Sequence, residues 1–377
     1  MAADGRPERQ LREELLVDDE RTLNDLVSAI DAAALIAIDT EFVREQTYYP
    51  ELCLIQIAGE KWAACVDCLA PLDLQPLLGA LLARERSWVL HSARQDLEVV
   101  WNLAQALPAR VIDTQIAAAL LGFPPQTSLQ DLLTQMLRID LEKGYTRTEW
   151  RRRPLPAAAL RYAFDDVRFL IEAWQILRGK LADLGRLAWF EEDCARLVGA
   201  APVADAETVF RRLKGLLALA PHEQCAALAL VEWRERRARE SNRPRRWILT
   251  DEQLLRLSRS LPARIADLLA VTDLPRGVIT RSGSELLAAI AGAESPDRRR
   301  IVAGLRLDRK PERSRVALLQ SAVKRRAADL GLQTEVLATR KDVNALAAGA
   351  ALEAVLPGWR AQALAGALPS GEGSSGP

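Results

Sequence analysis

The sequence predicts an α/β domain with a mixed sheet, followed by an all-helical half. Three observations point there. Strand-like apolar runs are confined to the stretch before Asp113, and none follows Asp205. The runs over 35–42, 52–58 and 62–66 are joined by short connections, as in an antiparallel meander, whereas the later ones alternate with helical periodicity. The chain is 49% apolar and only 5% aromatic, with Ala, Leu and Arg dominant, a composition that favours helix.

Taken in order, residues 1–14 read as a loose polar start, and Leu15-Leu16-Val17 as a short strand. Asp19 caps a helix whose inner face is Leu23, Leu26, Val27 and Ile30. The next strand, 35–42, runs apolar until it ends in Asp39-Thr40-Glu41. Side chains alternate along a strand, so Asp39 and Glu41 share a face. Two such acids repel and lose solvation, and divalent cations commonly offset that cost. A polar turn carries Tyr48 and Tyr49 before the strands over 52–58 and 62–66, and a helix follows near 72–84. Trp88-Val89-Leu90 is a fourth strand, after which Ser92 is expected to cap a helix through Asp96 to about Leu103. Val111-Ile112-Asp113 leads into a helix ending near Gly122, and Ser128 caps another that ends before Gly144. Pro156 opens one long helix through Asp166 to about Leu184.

Helices are expected over 213–219, 223–240, 251–260, 265–269 and 282–291, then over 313–330, 339–348 and 351–356. Ser295-Pro296-Asp297 marks the break between the two series. The expected division is therefore 1–203, 204–294, 295–368 and a disordered Gly/Ser-rich tail, 369–377. The net charge is zero but uneven: residues 1–210 carry 22 basic and 33 acidic side chains, and residues 211–377 carry 29 and 18. A basic half suits a polyanion and an acidic half suits cations.

Several classes are disfavoured. No apolar run approaches the roughly 18 residues that span a bilayer, and the polar start lacks a signal-peptide core, so a cytoplasmic protein with no membrane association is expected. Five irregularly spaced cysteines give no disulfide framework, and Cys65 and Cys68 read as small buried residues rather than a metal or redox pair. Two histidines, His91 and His222, cannot build a multi-histidine metal site.

Three more acids fall at element ends. Asp96 sits in the first turns of a helix, and Asp165 and Asp166 follow Tyr162 within one turn. Tyr162 and Asp166, at i and i+4, project together. Each acid alone reads as an ordinary surface group. Four acids on separate elements of one α/β domain describe a site for two divalent cations engaged in phosphoryl displacement.

These motifs resemble the tyrosine-bearing subgroup of the DEDD 3′–5′ exonucleases over residues 15–190. The matching segments are Ile38-Asp39-Thr40-Glu41-Phe42, then His91 to Leu97 with Val111 to Thr114, then Tyr162-Ala163-Phe164-Asp165-Asp166. Trp150, Arg153, Pro154 and Leu155 fit the W-x-x-R-P-L lead into the last helix. Leu230 to Ala238 and Ile248 to Leu254 resemble HRDC domains, with a second, weaker match resting on Leu356-Pro357-Gly358-Trp359-Arg360. One exonuclease domain followed by two such modules is the layout of the ribonuclease D family. The resemblance implies a ribonuclease-H-like fold and metal-dependent removal of nucleotides from RNA 3′ ends as 5′-monophosphates, with tRNA precursors and small structured RNAs as natural substrates. It implies Asp39, Glu41, Asp96 and Asp166 as ligands of two Mg²⁺ or Mn²⁺, with Tyr162 orienting the attacking water, and it selects Asp166 over Asp165. His91 is expected to be structural. Arg151, Arg152, Arg153, Arg243, Arg245 and Arg246 are candidate RNA phosphate contacts, and a monomer is the expected state. A DNA exonuclease and a non-catalytic RNA-binding protein are the alternatives.

Overall fold

The computed structural model describes residues 13–141, 148–200, 205–271, 274–306 and 311–369. Residues 1–12 of the polar start, the expected boundary at 203/204 and the tail after Pro369 lie outside them, and Glu13 and Glu14, expected in that loose start, belong to a strand. The α/β half contains strands β1 (Glu13–Val17), β2 (Leu35–Val43), β3 (Glu51–Ala58), β4 (Trp62–Asp67), β5 (Ser87–Leu90) and β6 (Arg110–Asp113). They form one sheet in the order β1-β4-β3-β2-β5-β6. β2–β3 and β3–β4 pair antiparallel, as the short connections require, and the remaining three pairings are parallel. β2 is thus a central strand, covered on both faces.

Helices α1 (Glu20–Asp31), α2 (Gln75–Leu81) and α3 (Arg94–Ala104) cover one face, burying Leu23, Leu26, Ile30, Leu77 and Leu97 against Ile36, Ile38 and Ile57. Asp19 caps α1 as expected, accepting from the Thr22 N–H at 2.8 Å. On the other face lie α4 (Thr114–Leu120), α5 (Leu129–Leu137), α6 (Ala157–Arg168), α7 (Leu170–Asp183) and α8 (Leu187–Gly199). The single long helix expected from Pro156 is therefore two, broken at Phe169, which leaves helical geometry at φ −107°. No Gly or Pro marks that break, and the apolar periodicity runs through it. Ser92 does not cap α3 either. It sits at φ +66°, and the Asp113 carboxylate at the end of β6 accepts from the Ser92 and Ala93 N–H groups instead.

The second half is helical throughout its described residues: α9 (Ala206–Arg211), a 3₁₀ turn (Leu216–Ala218), α10 (Pro221–Glu240), α11 (Arg245–Ile248), α12 (Asp251–Ser260), α13 (Ile265–Ala270), α14 (Arg276–Ala291), α15 (Pro296–Arg306), α16 (Arg313–Asp329), α17 (Thr334–Leu337), α18 (Arg340–Ala347), α19 (Leu352–Val355) and α20 (Trp359–Leu364). The expected helix over 213–219 is only the 3₁₀ turn. The expected break at Ser295–Asp297 is not where the packing changes. α15 lies against α10 and buries Val302 and Leu305 in the first helical core.

The helices from α16 onward do not form a core of their own. Leu319, Val323, Leu337, Val343 and Trp359 are continuous with the α/β core around Trp174, Leu177 and Phe190. Trp359 stacks on Trp189 of α8, with ring centroids 4.5 Å apart and planes 9° from parallel. Arg360 grips Asp193 with two bonds of 2.5 and 3.0 Å, and the Trp359 N–H donates to Glu192. Gly358 has φ +73°, and a Cβ there would collide with the Glu192 carboxylate. The Leu356–Arg360 motif is thus a docking joint onto α8.

Candidate metal centre and active site

Asp39 and Glu41 leave β2 on the face that α6 covers. Their register partners on β3 are Gln56 and Leu54. α6 crosses β2, β3 and β4, with Ala159, Ala163 and Val167 buried beneath it, and this delivers Asp166 to the same place. One carboxylate oxygen each from Asp39, Glu41 and Asp166 lies within 4.8 Å of the other two. Asp165, one residue away, turns outward and pairs with Arg168 at 3.3 Å.

The electrostatics follow from this crowding. Burial, then the charges of Asp96, Asp166 and Glu41, push Asp39 well above the usual carboxylate range. Burial and the charges of Asp166 and Asp96 lift Glu41 to about 8, and Asp166 rises to about 7, again chiefly by burial. The Asp166 Oδ2 atom is buried and has no hydrogen-bond partner among the described residues. Crowded carboxylates, an orphan carboxylate oxygen and an oxygen-only donor set fit a hard divalent cation.

Asp96 stands slightly apart from the trio. It lies in the first turn of α3, and the Thr40 hydroxyl donates to its Oδ1 at 2.6 Å, which pins α3 to the end of β2. Burial pushes it up to about 6, although the Thr40 bond opposes the rise. It acts on the trio electrostatically, as the largest of the charges that raise Asp39.

Tyr162 lies one turn before Asp166 on α6, and its hydroxyl beside that carboxyl opposes the rise that burial imposes on the acid. Burial first, then Asp166, Glu41 and Asp39, raise its phenol above the ordinary value of 10. The hydroxyl therefore stays protonated at neutral pH and serves as a donor, not a base. Its ring lies 6.3 Å from Trp150, which is buried. Trp150 is fixed in turn by its neighbours: Arg153 donates to the Trp150 carbonyl at 2.7 Å and forks onto Asp67 at 2.5 and 2.6 Å.

That assignment reshapes the expected RNA contacts. Arg153 is fully engaged within the fold, and Arg151 pairs with Glu51. Arg245 pairs with buried Glu235 at 2.5 and 2.8 Å, and also reaches the Tyr48 hydroxyl. These three arginines build the structure around the site. Arg152, Arg243 and Arg246 are exposed. Arg246 and Arg212 border a cleft of about 400 Å³ at the start of α12.

His91 sits within the fold as expected, with Nε2 2.9 Å from the Thr127 carbonyl and Nδ1 2.9 Å from the Thr114 hydroxyl. All five cysteines are free thiols, and Cys65 is buried in the core beneath α6. Thr40 and Asp113 were not predicted as parts of the site, because their partners, Asp96 and the Ser92–Ala93 backbone, are distant in the chain.

Comparisons with known proteins identify the family and the fold. A 3′–5′ exonuclease family model matches residues 15–182, and an HRDC domain model matches residues 225–290. Ribonuclease D from Zymomonas mobilis is 37% identical over 359 residues, covering 92% of this chain and 90% of the relative. Ribonuclease D from Sphingobium indicum is 35% identical over 358 residues, covering 92% and 91%. Among solved structures, Escherichia coli RNase D, described as an exoribonuclease involved in structured RNA processing, superposes with a TM-score of 0.78 at 26% identity, covering 93% of this chain and 96% of that one. The catalytic core of RRP6 from Trypanosoma brucei shares the fold, with a TM-score of 0.57.

Proposed function

The chain belongs to the ribonuclease D family and is a 3′–5′ exoribonuclease that uses divalent metal, and we propose that Asp39, Glu41, Asp96 and Asp166 hold two Mg²⁺ or Mn²⁺ for the stepwise removal of 5′-monophosphates. The observation that carries this reading is the convergence of Asp39, Glu41 and Asp166 oxygens within 4.8 Å from two separate elements. When bound, the cations supply positive charge for the attacking and leaving oxygens of the displacement.

The chain's own residues do the rest. Asp39 and Glu41 present their carboxylates from a rigid central strand, and Asp166 closes the set from above. Thr40 holds Asp96 in place, so that α3 and β2 keep a fixed spacing. Tyr162 remains protonated and orients the attacking water by donation or acceptance through its hydroxyl. Trp150 packs beside the phenol ring and limits its rotation.

Precursor tRNAs and other RNAs with 3′ tails are the proposed substrates, and a cytoplasmic monomer is the proposed state. Among the described residues no helix is long and apolar enough to cross a membrane. Exposed Arg152, Arg243 and Arg246 are the proposed phosphate contacts, and Trp247, 51% exposed beside Arg246, offers a face for a base. The nuclease domain is proposed to work with two helical modules, the second anchored to it through α8.

The test is digestion of matched 3′-tailed RNA and DNA with Mg²⁺, Mn²⁺ or EDTA. Shortening of RNA one nucleotide at a time with either metal, and none in EDTA, is expected. Faster digestion of the DNA, or undiminished digestion in EDTA, would overturn the proposal.

A further inference from the structure

Gln56 is 0% exposed, and neither its amide nitrogen nor its amide oxygen has a hydrogen-bond partner among the described residues. Burying a primary amide without partners is costly, because its hydrogen bonds to water are lost and not replaced. Such a residue in the middle of an otherwise apolar strand needs a reason, since Leu54 and Ile57 nearby show what the core accepts.

Its register supplies the reason. On β3, Gln56 lies opposite Asp39 on one side and Cys65 of β4 on the other. Cross-strand partners share a face, so Asp39, Gln56 and Cys65 form one row beneath α6. α6 brings Asp166 over that row, and the charges of both Asp166 and Asp39 reach the Cys65 thiol at its far end. Two orphans therefore lie under one helix. Gln56 carries an unused amide donor, and Asp166 an unused carboxylate oxygen, Oδ2. Among the described residues Arg168 Nε on α6 and Asn102 Nδ2 on α3 are also buried without a partner, but Gln56 is the one of these donors that stands in the row with Asp39.

We infer that Gln56 is a positioning residue for the metal centre, whose Nε2–H donates to the Asp166 carboxylate when the centre is loaded. A carboxylate has two oxygens and can swivel. A donor fixed in the sheet holds one oxygen and so turns the other toward the cation, and partners of this kind are worth roughly 10–100-fold in metal affinity. A leucine would suit the metal-free core better, but would leave Asp166 free to rotate.

This inference rests on the metal reading above, and the experiment separates the two. Mn²⁺ binding to the full chain is measured by calorimetry without RNA, for the wild type, Gln56→Leu and Gln56→Met. Thermal melting of each in EDTA is recorded alongside. The variants should melt at or above the wild-type temperature in EDTA, yet bind Mn²⁺ at least tenfold more weakly. A merely structural role would instead lower the melting temperature and leave affinity unchanged, which would overturn the inference. Wild-type protein that binds no Mn²⁺ would overturn the metal reading itself. Should neither variant fold, a crystal structure of the wild type with Mn²⁺ decides. Gln56 Nε2 within about 3.2 Å of an Asp166 carboxylate oxygen is the expected result, and a separation beyond hydrogen-bond reach refutes the inference.

Discussion

Without metal, Glu41 should make the protein less stable as pH rises, and Glu41→Gln should lessen that loss. The carboxyl group is lifted from its ordinary 4.5 to about 8. Between those values the folded state keeps a proton that the unfolded chain releases, so raising the pH favours unfolding. The penalty is absent below pH 4.5, grows through the interval and is complete above about pH 8. At 1.36 kcal/mol per unit the full displacement would be worth about 5 kcal/mol. Glu41 is partly exposed and shares its protons with Asp39 and Asp166, so about 2 kcal/mol is the realistic observable. Bound Mn²⁺ reverses the sign, because cation and proton compete for the same oxygens and metal stabilisation must increase with pH. The assay is thermal melting from pH 5.5 to 8, in EDTA and in saturating Mn²⁺. In EDTA the wild-type melting temperature should fall by several degrees, while Glu41→Gln, which keeps the raised Asp39 and Asp166 but loses one of the crowded charges, should fall less steeply and exceed it at pH 8. A wild-type melting temperature independent of pH in EDTA, or a Glu41→Gln profile parallel to it, would show that the acids are not crowded as described.

Asp166→Asn should reduce RNA hydrolysis at least a thousandfold in steady-state assays, whereas Asp165→Asn, which removes one of two carboxylates paired with Arg168, should retain it; equal losses would mean that α6 is rotated. Trp359→Ala should cost about 3–5 kcal/mol in urea titration and preserve a single transition, since the ring is buried in a core shared with the nuclease half. Two separate transitions would mean that the second helical series folds on its own. For the same reason a chain ending near residue 203 should be aggregation-prone, as light scattering would reveal, because it uncovers Trp189 and its neighbours. Glu235→Ala leaves Arg245 and the Tyr48 hydroxyl without their carboxylate and should cost about 1 kcal/mol by the same titration, since Arg245 is 40% exposed and regains water; an unchanged midpoint would place those charges in solvent.

The active-site acids were legible because their chemistry is concentrated in short motifs. Alternation placed Asp39 and Glu41 together, and helical spacing paired Tyr162 with Asp166. The sheet's mixed character was legible from connection lengths. What escaped the sequence depends on distant pairings. Asp113 caps α3 from another strand, which no local pattern around Ser92 announces. The break at Phe169 has no Gly or Pro to announce it in the chain. α8 was not anticipated at all, although it bears Trp189, Glu192 and Asp193. Once its docking role is known, the Gly358-Trp359-Arg360 motif reads differently, as the partner of those three residues. The arginine clusters misled in another way. Arg153 and Arg245 look like phosphate contacts in a list of basic residues, and only their distances to Asp67 and Glu235 show that they are occupied within the fold.

Tyr48 has a consequence for how force passes through the molecule. β2, which carries Asp39 and Glu41, ends at Val43, and five residues later the chain reaches Tyr48. Glu235, Arg239 and Arg245 of the helical half clasp its hydroxyl, and the Asn242 side chain accepts from the Tyr48 and Tyr49 N–H groups. The strand is therefore tethered at its catalytic end to α10 and the turn after it. Any displacement of α10, by RNA or by temperature, must either tear this clasp open or tug on a ligand-bearing strand already kinked by a register shift between Glu41 and Phe42. The helical half is geared to the active site by a lever only a few residues long, and strain applied to one is felt in the aim of the other's carboxylates.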